Sequence, residues 1–257
     1  MGVGFENIVD LAVKTVQAAE SRGIILRIMG AVAINIHCST FNRIQKLLGR
    51  ELSDVDFVSY SRYRDGIISL FKDLGYKYEE LLSKIYTIEF GHLPRMIFER
   101  DGLKVEVFFD VLEFNHTIPI KGRLELDSPT LPLADLSLLK LQIVKINEKD
   151  IIDLITLFRE HEIGDSDEKE IINAKYIAKL CAKDWGLWKT VTDNLHLVKE
   201  MVDKYEKLSN DDRVNVKEKV DGILNFIDKE PKSMGWKLRA KVGTKKKWYK
   251  EVEEISR

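Results

Sequence analysis

Asp54 and Asp56 are the only charges in the apolar stretch LSDVDFVSY. A strand there projects both carboxylates from one face, because successive side chains alternate. Two acids side by side repel each other and lose hydration unless a cation compensates, so the pair invites a divalent ion with oxygen ligands. Taken alone, Asp-x-Asp equally describes a solvent-facing edge strand. A third acid changes the reading. Glu106 lies in KVEVFFDV, residues 104–111, among Val105, Val107, Phe108 and Phe109, on a strand that follows the Asp101-Gly102 turn. A charge there is costly unless it is paired or liganded. Should Glu106 point into the core, Asp110 is the next acid along.

A glycine, then Asp-x-Asp on one strand, then an acid on a neighbouring strand resembles the signature of the nucleotidyltransferase superfamily, the fold of polymerase beta and of the antibiotic-modifying nucleotidyltransferases. The resemblance implies an α/β (α+β) chain: a mixed β-sheet core flanked by helices, followed by a helical C-terminal domain. It also implies chemistry with Mg2+ or Mn2+ and an NTP. Asp54 and Asp56 would hold two ions, Glu106 would complete the ion that lowers the pKa of the acceptor hydroxyl, and the other ion would steady the leaving pyrophosphate. Gly30 falls where a strand turns into a helix, so backbone N–H groups are free to meet phosphate oxygens and no side chain bars their approach. The superfamily usually carries Gly-Ser or Gly-Gly there. This chain has Gly30-Ala31, which keeps the backbone donor and supplies no hydroxyl.

The elements that must position these residues follow from periodicity. Phe5, Ile8, Val9, Ala12, Val13 and Val16 form one helical stripe, which predicts an amphipathic helix covering the sheet. Ile24 to Ile28 is expected as a buried strand, and Ala31 to His37 as the helix after Gly30. His37 and Cys38 at its end suit packing better than ligation. The following CSTFNRIQKLLGREL reads as a long loop whose Arg43, Lys46 and Arg50 bring positive charge toward the phosphates, or remain solvated. Arg62 to Leu74 predicts a cover helix ended by Gly75. Tyr86 to Phe90 and Met96 to Arg100 are expected as strands, the latter turning at Asp101-Gly102 into the Glu106 strand.

From Leu133 the pattern becomes helical, and Pro129 to Pro132 marks a boundary between residues 1–130, a catalytic domain, and 131–257, a helical domain with a basic tail. The phrase LPLADLSLLKLQIVKINEKDIIDLITL resembles the helical segment after the catalytic sheet in nucleotidyltransferase-like toxins of toxin-antitoxin and phage-defence systems. On that resemblance Lys140, Asp150 and Asp153 face the nucleotide cleft; read physically, they are equally a snorkelling lysine and helix-start acids. Trp185 and Trp188 in KDWGLWKTVTDNL suit a core better than a base-stacking platform. With that segment included, the likeness extends to archaeal and bacterial nucleotidyltransferase-family proteins over residues 24–195. Beyond it, Lys237, Arg239, Lys241, Lys245, Lys246, Lys247 and Lys250 interleave with Trp236, Trp248 and Tyr249. That composition suits a nucleic-acid contact, with a solvated tail as the competing reading.

Composition bounds the remainder. The chain has 257 residues, 44% of them apolar, a formal net charge of −1 and two cysteines, Cys38 and Cys181. The charge balance excludes general polyanion affinity, so a nucleic-acid partner needs a local basic patch. The cysteines have no metal-ligand spacing and read as free thiols in a reducing compartment. No apolar run approaches the roughly 18 to 20 residues that span a bilayer, which points to a cytoplasmic protein without a membrane partner. The expected activity is metal-dependent transfer of a nucleoside monophosphate from NTP to a hydroxyl of RNA, protein or a small molecule, with RNA favoured by the tail. The alternative, for which Ala31 speaks, is a catalytically degenerate nucleotide-binding or interaction module.

Overall fold

A computed structural model describes residues 5–89 and 95–251. The chain opens with α1 (Phe5–Glu20), β1 (Leu26–Met29) and α2 (Gly30–His37), then α3 (Arg43–Leu47), β2 (Asp54–Ser59), α4 (Arg64–Asp73), β3 (Lys77–Tyr78), α5 (Glu80–Glu89), β4 (Arg95–Arg100) and β5 (Leu103–Phe109). A short hairpin, β6 (Val111–Glu113) and β7 (Thr117–Pro119), leads to α6 (Leu133–Leu141) and α7 (Glu148–Glu160). Two short parallel strands, β8 (Glu162–Gly164) and β9 (Ile171–Asn173), precede α8 (Ala174–Lys183), α9 (Trp185–Lys204), α10 (Asn210–Lys229) and α11 (Met234–Val242). This is a mixed α/β fold with a helical C-terminal region. Among the described residues no helix is long and apolar enough to cross a membrane.

The sheet runs β1-β2-β5-β4-β3, with β2 and β5 parallel and the other neighbours antiparallel. Alternation divides its side chains. Val55, Phe57, Val105, Val107 and Phe98 share the face that packs under α1 and α4, all fully buried. Phe71 of α4 stacks on Phe98 with ring centroids 4.3 Å apart and meets Phe57 edge-on at 6.0 Å. Burying such rings contributes about 1.5–3 kcal/mol each, which anchors the face that carries no chemistry. The opposite face carries Asp54, Asp56, Lys104, Glu106 and Arg95. One continuous apolar core joins the sheet to the C-terminal helices.

Two expectations are corrected. Tyr86 to Glu89 is helical, the end of α5, not strand; Phe90 lies outside the described residues. Ile85, Tyr86, Thr87 and Ile88 favour strand locally, but a helix begun at Glu80 is cheap to extend, and Ser83 of that helix fastens it to the sheet by accepting the Ile97 N–H at 3.0 Å. The stretch after α2 is not wholly loop: Arg43–Leu47 forms α3, against α7.

Candidate active site

Parallel register sets Asp56 of β2 directly beside Glu106 of β5, with Met29 of β1 on its other side. Asp54 is two residues back on the same face, so the three acids line one row of the sheet. At the end of β1 the chain turns at Gly30, whose φ of +70° belongs to the left-handed region. A Cβ there would stand 3.2 Å from Asp56 Oδ2, so glycine serves both the turn and the close approach of α2 to the carboxylate. The first turn of α2 has no side-chain cap. Ala31 follows, half-buried.

The electrostatics match this crowding. Desolvation, then the charges of Glu106 and Asp54, push the Asp56 carboxyl up to about 8, while Lys140 and Lys104 pull it back. The half-buried Asp56 therefore holds a proton near neutral pH when no external cation is present. Glu106 is only 8% exposed and is clamped by cations: Arg95 Nη1 donates to it at 2.8 Å, and Lys104 Nζ donates to its other oxygen. Ser53 Oγ donates to Asp54 at 3.3 Å.

Lys140 of α6 approaches this row from the helical region, as its pull on Asp56 shows. Its ammonium is buried, with Asp150 Oδ1 at 2.6 Å and Asp153 Oδ2 at 3.1 Å. Burial works against its charge, yet Asp153 and Asp150 outweigh that cost and hold the lysine protonated. Asp153 is fully buried and also accepts from Gln45 at 2.8 Å and pairs with Arg50 at 3.3 Å, while Asn35 of α2 donates to Gln45 at 2.9 Å. Lys140 thus joins the acid row to Asp150 and Asp153, and Asp153 is the hub of a buried network tying α2, α3, α6 and α7. Sequence reading placed Arg50 in a basic loop; its bond to Asp153 depends on contacts about a hundred residues apart in the chain.

Other anticipated residues lie elsewhere. Arg43 is exposed on α3, its guanidinium 5.4 Å from the Phe41 ring centroid. Asp110 has left the strand with φ +64° and accepts the Ser61 N–H at 2.9 Å, a turn role that removes it from the acid row. The tail aromatics are engaged internally: Trp236 packs on Trp188 with centroids 5.1 Å apart, Trp248 approaches Trp185 at 6.4 Å, and Trp248 Nε1 donates to Thr190 at 3.2 Å. Arg239 stacks over Trp185 at 4.8 Å, while Lys237, Lys241, Lys245, Lys246, Lys247 and Lys250 are exposed. Trp185, 6% exposed, is a core residue as expected.

Sequence reasoning missed one constellation. Among the described residues, the group of three metal-competent side chains whose ligand atoms lie within 4.8 Å of one another is His37, His161 and Glu170, not the acid row. No signal in spacing would have found it, since His37 lies more than a hundred positions before the His161–Glu170 stretch it meets.

No protein-family model matches this chain, and neither does any curated protein or any solved structure. The nucleotidyltransferase resemblance therefore rests on the residues themselves.

Proposed function

We propose that the chain is a metal-dependent nucleotidyltransferase that moves a nucleoside monophosphate from NTP to a hydroxyl acceptor and releases pyrophosphate. One observation carries the reading: Asp56 and Glu106 share a register position on parallel strands, Asp54 shares their face, and the Gly30 turn sits against Asp56. The residues fit a divalent cation. Three acids on one face, one of them driven to hold a proton, are a cluster short of positive charge, and the close approach at Gly30 brings uncapped helix N–H groups alongside it. Asp54, Asp56 and Glu106 would hold Mg2+ or Mn2+, which supplies activation of the acceptor hydroxyl and neutralisation of the leaving phosphates. The chain's own part is positioning. The Gly30-Ala31 amides meet the triphosphate, and Lys140, released from Asp150, adds positive charge beside it. Arg95 and Lys104 hold the Glu106 carboxylate in place beside Asp56.

A second reading has support of its own. Glu106 and Lys140 are both satisfied within the protein, and the acid row lacks the tight spacing of the His37 group. That arrangement favours a nucleotide-binding or interaction module without turnover. Each labelled NTP, incubated with the protein, Mg2+ and cell extract, separates the two. Label transferred to RNA, protein or a small molecule, lost with Asp54→Asn, supports the enzyme. Metal-dependent NTP binding without transfer to any fraction supports the module.

A further inference from the structure

The end of α2 opposite the Gly30 turn carries a separate cluster. His37 closes α2, His161 caps the end of α7, and Glu170 directly precedes β9. The two imidazoles meet edge-on with centroids 5.9 Å apart. Glu170 reaches both: Oε1 lies 3.6 Å from His37 Nδ1, and Oε2 lies 3.2 Å from His161 Nδ1. A tetrahedral ion with bonds of about 2.0–2.1 Å sets its ligand atoms roughly 3.3 Å apart; each Glu170 oxygen lies near that length from one imidazole, and one ligand atom from each of the three residues falls within 4.8 Å of the others.

The far sides of the rings decide which nitrogens are available. His37 Nε2 faces the Leu131 carbonyl oxygen at 3.3 Å, Asp127 Oδ2 at 3.5 Å and Thr130 Oγ1 at 2.5 Å. A carbonyl and a carboxylate only accept, so Nε2 is the nitrogen placed to donate to them and Nδ1 is the one that faces Glu170. Donation from the remote nitrogen to carboxylate or carbonyl is also the arrangement that orients metal-binding histidines. His161 Nε2 faces the buried Cys38 thiol at 3.7 Å, which leaves its Nδ1 on the Glu170 side. Glu170 itself adopts φ +66°, a conformation costly for a residue with a side chain and held here by its surroundings. Its side chain is 49% exposed, which opens one flank of the cluster to solvent.

We propose that His37, His161 and Glu170 bind one Zn2+ ion, with water in the remaining position. Two imidazoles and one carboxylate form a borderline donor set that prefers zinc over the hard Mg2+ or Mn2+ suited to an all-carboxylate row. The ion fastens the C-terminal end of α2 to the end of α7 and the start of β9. It thereby anchors from behind the helix whose first residue abuts Asp56. This site is independent of the activity proposed for the acid row.

The test uses the full chain, purified without a metal-affinity tag, stripped with chelator and titrated with Co2+ and then Zn2+. The expected result is one saturable equivalent per chain, with the strong visible Co2+ absorption of a four- or five-coordinate nitrogen-oxygen site, displaced by Zn2+. Glu170→Gln, a half-exposed position whose replacement leaves the core intact, is expected to abolish that spectrum, and Asp56→Asn to leave it unchanged. Asp127→Asn, acting through His37, is expected to weaken Zn2+ binding by about 10- to 100-fold. Absence of a stoichiometric site overturns the proposal. So does a spectrum that survives Glu170→Gln or disappears with Asp56→Asn.

Discussion

Replacing Asp56 by Asn isolates the electrostatic core of the functional reading. The folded chain holds the Asp56 proton up to about pH 8, whereas the unfolded chain releases it near 3.8. A carboxyl with a raised folded pKa contributes stability at low pH that is lost as pH climbs between those two values. Each unit corresponds to about 1.4 kcal/mol, so at pH 7.5 the loss is bounded at about 5 kcal/mol; water reaching the half-buried carboxyl screens it to about 2 kcal/mol. Asparagine keeps the shape and removes the titration. Without divalent metal the variant is therefore expected to melt above wild type by roughly 4–8 °C at pH 7.5, with a gap that narrows toward pH 5. Mg2+ reverses the order. At a hundredfold excess over its Kd the ion adds about 2.7 kcal/mol to wild type and nothing to the variant. Differential scanning calorimetry at pH 5, 6.5 and 8, with and without Mg2+, reads both effects. An apo variant that melts at or below wild type at pH 8, or one that keeps the Mg2+ shift, refutes the reasoning.

The other predictions address the surrounding machinery. Gly30→Ala forces a side chain into the left-handed region and toward Asp56 Oδ2, so a stability loss of about 1–2 kcal/mol and weaker NTP binding are expected in urea melts and calorimetric titration. Asp153→Ala strands Lys140 and Arg50 in a buried setting and is expected to cost about 3–5 kcal/mol, seen as a fall in melting temperature on the order of 10 °C. Asp150→Asn keeps Asp153 in place, so a milder loss is expected, with NTP affinity undiminished because Lys140 loses only the partner it must give up. In the tail, Trp236→Ala is expected to lower stability through its lost contact with Trp188. Lys245→Glu with Lys246→Glu is expected to flatten the log–log salt dependence of single-stranded RNA binding by about 0.7 per lost phosphate contact, and an unchanged slope assigns those lysines to plain solvation.

Several features were legible before any fold was known, because they depend on neighbours a few residues apart. The alternation of 54–59 put both aspartates on one face, Asp101-Gly102 turned β4 into β5, and the stripe of α1 announced a cover helix. Local preference misled at Tyr86, where strand-favouring residues continue a helix held against β4. It was silent on long-range pairing. That Asp56 meets Glu106 in register is a matter of which strands lie side by side, and the conversion of Asp153 from a helix-start acid into a buried hub follows from α3 and α6 packing on α7. The tail shows the division within one segment: its charge is a property of composition, while the withdrawal of Trp236 and Trp248 from solvent came from a docking surface on α9. His37, His161 and Glu170 mark the limit most plainly. Each is separated from at least one of the others by more than a hundred positions, a span over which only the closing of the core brings them together.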